Sequence, residues 1–507
     1  MRRALLTVLA LGFFSVAAPA QQQNPEAALR LLADGELLEQ QGDMAAALRN
    51  YELLVQQFPS AGVADDALLR AAEGYWSLRD RPAAEAAIGR LQDDYPRSVG
   101  AAGAFVLEGN IRMATSVGAA DLVAARESFR NVVLLYGRAD FPGLAWRAQA
   151  LVRAGEASVL LGEPDDAAAL FLSAIEDEPH SFWTAPARLY LAEVLMRTGQ
   201  WEPAAEILQR IINESDRSDA RADTDPTIAG KARRRLELGY RLLMRPALSQ
   251  PPWTTARRLS VTGPRLDEPI GIDASEDNRV VIVDPGVPVI AVLEADGTLS
   301  NRVRSTDASH PWWGRDGFPY VATRRSVLDL LLQTRQTFFV PENNEDKPVR
   351  DIIALARGIH RQWIVVDSDR KDVLLFDENA NYTEVLVEGN YDPVDVTVDY
   401  LGNFYVLDRR NDNVVRFSAD GTGRQQIIQR DWRRPAAIAV DGLGNLYVLD
   451  RDAKQIHIFD PRGELLWQLG PQLPGGIELR SPRDLGVDGS GRIYIADRDL
   501  KAFLVLE

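Results

Sequence analysis

Apolar and polar positions repeat in a fixed order through the C-terminal half of the chain. Residues 393–421 read PVDVTVDYLGNFYVLDRRNDNVVRFSADG, and 435–463 read PAAIAVDGLGNLYVLDRDAKQIHIFDPRG. A third copy, PRDLGVDGSGRIYIADRDLKAFLVLE, occupies 482–507. Each copy holds an alternating run (394–398, VDVTV), a short apolar run (404–407, FYVL) and a third run (414–417, VVRF) beyond a polar turn. Alternation and short apolar runs bounded by turn residues predict β-strands. Between the first two runs stands Leu401-Gly402-Asn403, where glycine supplies the positive φ of a tight hairpin. The Asp that ends the second run serves as a ruler. Asp408 to Asp450 is 42 residues, Asp450 to Asp497 is 47, and Asp367 lies 41 before Asp408. Asp284 lies 83 before Asp367, a gap of two repeats, so a degenerate copy is expected between them. Residues 318–332 (FPYVATRRSVLDLLL) fit it, with Ala322-Thr323 where the Asp would stand. Six units result.

The preceding part, 24–245, has a helical pattern rich in Ala, Leu, Glu and Arg, with few β-branched runs. It repeats as well. Gly35, Ala47, Tyr51 and Pro59 are spaced 12, 4 and 8, and Gly155, Ala167, Phe171 and Pro179 are spaced identically. Looser copies run through Ala84 and Pro96, through Gly109, Ala125 and Phe129, and through Ala192 and Ala204, where Leu208 replaces the aromatic. Turns recur at Gly42-Asp43, Arg79-Asp80, Gly162-Glu163 and Gly199-Gln200, giving about five helical hairpins and a capping helix near 227–244.

The strand repeat resembles the NHL repeat, through its leading Pro (Pro393, Pro435, Pro482), Val-Asp (Asp399, Asp441, Asp488), Gly-Asn or Gly-Arg, and closing Asp (Asp408, Asp450, Asp497). That resemblance implies a six-bladed β-propeller over 255–507. The run 256–263 (ARRLSVTG) is similar to the fourth strand of the fifth unit (465–470, LLWQLG) and is expected to complete the last blade. Closing the ring this way removes an open sheet edge. The helical repeat resembles the tetratricopeptide repeat, in which Gly and Ala admit close helix approach and the aromatic fills the gap to the next repeat. The endings Phe58-Pro59 and Tyr95-Pro96 are similar to those of tetratricopeptide proteins of the bacterial envelope. The expected fold is thus multidomain, α then β. A solenoid over 24–245 and a Pro-rich linker at 246–254 (PALSQPPW lies at 246–253) precede the propeller.

Residues 1–20 read MRRALLTVLALGFFSVAAPA, a basic start, a short apolar run and a small-residue end. They predict an export signal cleaved after Ala20, and a periplasmic or secreted protein with no membrane span. The formal net charge of −16 argues against nucleic acid as a partner. The absence of cysteine excludes disulfides, thiolate catalysis and Cys-based metal sites.

Candidate chemistry is sparse. The pairs Asp408-Arg409, Asp450-Arg451 and Asp497-Arg498 are expected around one end of the propeller, as a rim for a protein or peptide partner. The alternative for each Asp is a turn-capping role. Trp312 and Trp313, expected to join the first and second blades, are candidates for a peptidoglycan or carbohydrate platform or for filling an irregular blade. Some NHL-like propellers are lyases or lactone hydrolases with a metal in the central channel. The first strands PIGID, VDVTV, AAIAV and RDLGV offer little His for that, although Asp395 and Asp484 stand near the channel mouth. The four histidines are His180, His310, His360 and His457, and no Ser-His-Asp order, phosphate loop or HExxH occurs. Catalytic residues, metal ligands and cofactors are therefore not expected. The expected function is a non-enzymatic interaction scaffold of the bacterial cell envelope, binding partners through the groove of the helical repeats and the propeller face, with a propeller enzyme or a carbohydrate- or peptidoglycan-binding protein as the alternatives.

Overall fold

The computed structural model describes residues 25–116, 118–141, 144–216, 226–243, 251–261, 266–314, 317–331, 333–342, 345–359, 361–419 and 421–507. The expected leader at 1–20, His360 and most of the linker lie outside them. Two compact units divide the chain, the first ending at Glu108 and the second running from Gly109 to Glu507. The change from helices to strands near residue 250 is therefore not where the compact units part.

In the first unit α1 (Pro25–Gln40) pairs with α2 (Met44–Gln57) and α3 (Ala64–Ser77) with α4 (Arg81–Asp94), followed by most of α5 (Val99–Ala114). Each second helix begins on an aspartate. Asp43 accepts the Ala46 amide at 3.0 Å and Asp80 the Ala83 amide at 3.1 Å, which satisfies donors the first helical turn leaves free. The turn before them needs a positive φ, met by Gly42 (84°) and, against its side chain's preference, by Arg79 (63°).

The second unit continues with α6 (Ala119–Leu135), α7 (Ala145–Leu160), α8 (Pro164–Asp177), α9 (Thr184–Arg197), α10 (Trp201–Ser215) and α11 (Pro226–Leu242). The aromatics of the helical repeat fill the space within their own hairpin, and Phe171 also reaches the next one, as expected above, with its ring centroid 5.6 Å from that of Tyr190 on α9. Phe129 lies against Gly109 and Phe171 against Gly155, each inside its own hairpin. Trp201 of α10 instead covers Gly239 of the following capping helix α11.

Six four-stranded antiparallel sheets follow. Strand β1 (Ala256–Arg258) comes first. Blade one is β2 (Gly271–Ala274), β3 (Val280–Asp284), β4 (Val289–Leu293) and β5 (Leu299–Arg304). Blade two is β6 (Ala308–Trp313), β7 (Pro319–Thr323), β8 (Ser326–Asp329) and β9 (Arg335–Thr337), and a hairpin of β10 (Phe339–Glu342) and β11 (Glu345–Pro348) follows it. Blade three is β12 (Ile352–Arg357), β13 (Trp363–Asp367), β14 (Asp372–Phe376) and β15 (Tyr382–Val387). Blade four is β16 (Pro393–Val398), β17 (Phe404–Asp408), β18 (Asn413–Phe417) and β19 (Gln425–Gln429). Blade five is β20 (Pro435–Val440), β21 (Leu446–Asp450), β22 (Gln455–Phe459) and β23 (Leu465–Leu469). Blade six is β24 (Pro482–Val487), β25 (Ile493–Asp497), β26 (Ala502–Leu506) and, from the other end of the domain, β1. Ala256 pairs with Leu506 and Arg258 with Leu504, so this blade has no free outer edge at β26.

The second strands are buried along their whole length, because each blade is sandwiched between two others, and they are accordingly apolar without alternation. The repeated Val-Asp is a turn device. Asp399 accepts the amides of Leu401 and Asn403 at 2.9 Å, the Asn403 side chain at 2.8 Å and the Tyr405 hydroxyl at 2.8 Å. Asp441 repeats the set with Leu443, Asn445 and Tyr447. These turns lie at the end of the blades on which the helices sit. Apolar side chains of α9, α10 and α11 share one core with blades five and six, among them Met196, Trp201, Leu238, Leu443 and Tyr447. Two arginines fix the contact. Arg235 is bonded to Glu193 of α9 at 2.7 Å, to Glu276 of the β2–β3 turn and to the Gly489 carbonyl at 3.4 Å. Arg197 lies 3.4 Å from the Tyr400 ring centroid and donates to the Gly442 carbonyl at 3.2 Å. Burial works against a charged Glu193, but Arg235 and Arg197 outweigh it and hold its carboxyl below the usual range.

Candidate functional site

At the end of the blades away from those helices, each first strand begins opposite the closing Asp of the second, as Pro393 pairs with Asp408. The closing aspartates are buried and spent on backbone. Asp450 accepts the amides of Arg433 at 2.8 Å, Arg434 at 3.0 Å and Ala453 at 3.2 Å. Asp497 takes those of Arg480, Ser481 and Leu500, and Asp408 those of Asp392 and Arg410 together with the Asn411 side chain. Their oxygens hold the turns and leave no exposed carboxylate rim. The arginines behind them differ from one another. Arg409 is paired with Asp392 at 2.7 Å and Arg498 with Asp499 at 3.0 Å. Arg451 forms no ion pair with another described residue. It belongs to a group that sequence reasoning missed in part: Arg434, Arg451, Arg483 and Arg498. Burial and then the charges of Arg434 and Arg498 push Arg451 below the ordinary guanidinium range. Burial and then Arg451, Arg498 and Arg434 do the same to Arg483.

Trp312 and Trp313 do not join two blades. They end β6, the innermost strand of blade two, and are only 8% and 7% exposed. Trp312 stacks on Tyr320 with ring centroids 6.0 Å apart, and the Arg279 guanidinium lies 4.9 Å from the centroid of Trp313. Being buried, the pair offers no flat platform for a sugar ring. The strand is hard to recognise in the sequence because it lacks the leading Pro of blades four to six and carries Pro311 in its interior, although its register shift between Ala308 and Pro311 is the one that blades three to six also show.

His310 takes the position on β6 that Asp395 takes on β16 and Asp484 on β24. The innermost strands place His310 (blade two), Asp395 (blade four) and Asp484 (blade six) with one ligand atom each, all within 4.8 Å of one another. His310 Nε2 stands 3.6 Å from Asp395 Oδ1. Both carboxylates, with Asp273 of β2, also bridge neighbouring blades. Asp395 Oδ2 accepts the Ile438 amide at 2.7 Å, Asp484 Oδ2 that of Ile272 at 2.9 Å, and Asp273 Oδ2 that of Trp313 at 2.7 Å. Burial pushes the Asp273 carboxyl up to about 7, the Asp395 carboxyl up to about 8 and the His310 imidazole down to about 4, and burial followed by the charge of Asp395 raises Asp484 well above the usual carboxylate range. An imidazole and carboxylates on converging strands are a donor set that suits a divalent ion.

The covered end of the channel opens into a cavity of about 740 Å³ between the propeller and α7, α9 and α11. Glu156, Glu193, Lys231, Arg234, Tyr400 and Trp313 contribute to its wall.

Together these features define a tetratricopeptide-type helical region followed by a six-bladed, NHL-like propeller. A tetratricopeptide-repeat family model matches residues 158–224. No curated protein matches the chain. Similar solved structures include a streptogramin B lyase, at 10% identity over 50% of this chain and 98% of that one, with a TM-score of 0.39. Virginiamycin B lyase from Staphylococcus aureus is 12% identical over 48% of this chain and 82% of that one, with a TM-score of 0.36. A structural-genomics protein of unknown function from Bacteroides thetaiotaomicron is 17% identical over 50% and 72%, with a TM-score of 0.37. At such identities the activities belong to those proteins alone. Among the described residues no helix is long and apolar enough to cross a membrane.

Proposed function

We propose that the protein is a non-enzymatic interaction scaffold, exported through residues 1–20, that takes an acidic protein or peptide segment at the propeller end bearing Arg434, Arg451, Arg483 and Arg498. One observation carries this reading. Four guanidiniums are gathered on a chain of net charge −16, and Arg434, Arg451 and Arg483 form no ion pair with another described residue. Four like charges offset only by the nearby Asp452 and Asp499 repel, and an acidic partner relieves that repulsion while gaining charge-assisted hydrogen bonds. Arg483 Nε, buried and without a hydrogen-bond partner, supports it. The test is binding of a fluorescent oligo-glutamate peptide to the full chain at low and high salt. Arg451→Glu with Arg498→Glu is expected to weaken binding at least tenfold, and Arg409→Glu, whose arginine is already paired, much less. Equal binding by all three proteins would overturn the reading.

A second reading, a propeller enzyme working in the channel, is favoured by the convergence of His310, Asp395 and Asp484. Turnover abolished by His310→Ala but untouched by the arginine substitutions would support it over the scaffold.

A further inference from the structure

We propose that the propeller channel binds one divalent transition-metal ion, zinc or manganese, through His310, Asp395 and Asp484. This does not depend on the arginine end of the propeller.

Three observations converge on the site. The first is distance. Two donors about 2.1 Å from a shared ion, at bond angles near 110–120°, stand about 3.4–3.6 Å apart. His310 Nε2 and Asp395 Oδ1 stand 3.6 Å apart, too far for a hydrogen bond and right for two ligands of one ion. The Asp484 ligand atom lies within 4.8 Å of both, so a modest side-chain movement completes the set.

The second observation is the make-up of the ring. The residues equivalent to His310, Asp395 and Asp484 in blades one, three and five are Gly271, Ala354 and Ala437. Donors and small residues alternate around the channel, so three donors converge with no side chain of comparable size between them. Gly271 is itself held small, since a Cβ there would meet Pro311 Cδ at 2.5 Å.

The third observation separates this group from blade stapling. Each oxygen of Asp395 and Asp484 accepts one amide, Asp395 from Val396 and Ile438 and Asp484 from Leu485 and Ile272, and keeps a second lone pair for an ion. His310 forms no hydrogen bond with another described residue although its side chain is only 15% exposed. An imidazole facing the channel with no hydrogen bond to another described residue has its nitrogens available, and coordination would use one of them. Imidazole with two carboxylates suits zinc or manganese better than magnesium or calcium, which prefer oxygen donors alone. Three protein donors leave at least one coordination position for water.

The experiment uses the full chain, stripped with EDTA and then titrated with zinc or manganese chloride in excess magnesium. Bound metal is counted by mass spectrometry of the gel-filtered protein, and manganese is followed by quenching of tryptophan fluorescence, since Trp312 and Trp313 share β6 with His310. The expected result is one equivalent bound and a higher melting temperature. His310→Ala should weaken binding at least tenfold while keeping the wild-type circular dichroism in EDTA, since no hydrogen bond is lost. Asp484→Asn should weaken it as well, and if that variant does not fold, His310→Ala decides alone. No stoichiometric uptake by the wild-type chain, or equal uptake by His310→Ala, overturns the proposal.

Discussion

Gly155 and Phe171 form the tightest test of how the helical repeat packs. An ideal Cβ at Gly155 would stand 2.5 Å from Phe171 Cε1 and 2.8 Å from Cδ1 and Cζ, whereas carbon atoms prefer about 3.5–4.0 Å. The ring would have to retreat by about 1 Å to reach that separation. It has little room, being 0% exposed with the Tyr190 ring centroid 5.6 Å away. Forcing one methyl into such a core costs about 1–3 kcal/mol. Alanine in place of glycine in a helix interior gains about 1 kcal/mol on its own. Gly155→Ala should therefore destabilise the chain by about 0–2 kcal/mol, the difference of these two terms. In a Phe171→Leu background the ring edge is gone, the steric cost falls away and the same substitution should stabilise by up to about 1 kcal/mol. The measurement is a double-mutant cycle by urea denaturation of the full chain, followed at 222 nm. A coupling of about 1–3 kcal/mol, with a change of sign between backgrounds, is expected. Additive effects within about 0.5 kcal/mol would refute the packing argument.

Three further outcomes follow from the same contacts. Asp450→Ala strips three amides of their acceptor and should cost at least about 3 kcal/mol in urea melts, whereas an aspartate serving only a partner would leave stability unchanged. Arg235→Met leaves Glu193 buried without its closest counter-charge and should cost about 3–5 kcal/mol, with a smaller loss for Arg235→Met in a Glu193→Gln background; equal losses in both would contradict the pairing. His457, buried on β22, is pushed down to about 4 by burial and then by Arg430. Its folded pKa is below the unfolded one near 6.5, so its contribution is complete above about 6.5 and is lost as pH falls toward 4. His457→Phe should flatten the pH dependence of stability across that window by up to one proton, and an unchanged slope would show that His457 is not buried neutral.

Most of the fold was legible because its devices are local. The Val-Asp and Gly-Asn pairs hold a turn whose donors and acceptor lie within six residues, as Asp399 and Tyr405 do. The closing aspartates bind amides sixteen or seventeen residues back, still within one blade, as Asp450 does with Arg433 and Arg434. Contacts between distant segments were not legible. Arg235 meets Glu276 and Gly489, which no periodicity links to α11. The channel group lies between these cases. Gly271, His310, Ala354, Asp395, Ala437 and Asp484 each stand thirteen residues before the closing position of their blade, whether Asp or the substituted Thr323. The ruler that counted blades could have aligned them. His310 is hidden because its strand has the composition of a connection, which leaves Asp395 and Asp484 as two donors of an incomplete ring.

The two repeats are also not independent modules, and this changes where a partner can act. A free tetratricopeptide solenoid offers the inner face of its first helices to a peptide. Here the inner residues Arg197 and Arg235 are engaged by Gly442, Gly489 and Glu276 of the propeller turns, so α9 and α11 are committed within the chain. The commitment is polar as well as apolar. Buried guanidiniums that reach carbonyls and carboxylates in fixed positions penalise any other docking, because each alternative strands a charge away from water. A purely apolar contact could slide, whereas this one has a single register. What the propeller gives up is the end carrying Asp399, Asp441 and Asp488, whose carboxylates are already consumed by their own turns and neighbouring hydroxyls. The unspent charge of the propeller lies at the opposite end, on Arg434, Arg451 and Arg483. An acidic partner at that end, as proposed above, would leave the seating of the helices untouched, so substitutions there should alter binding without unseating α9 and α11.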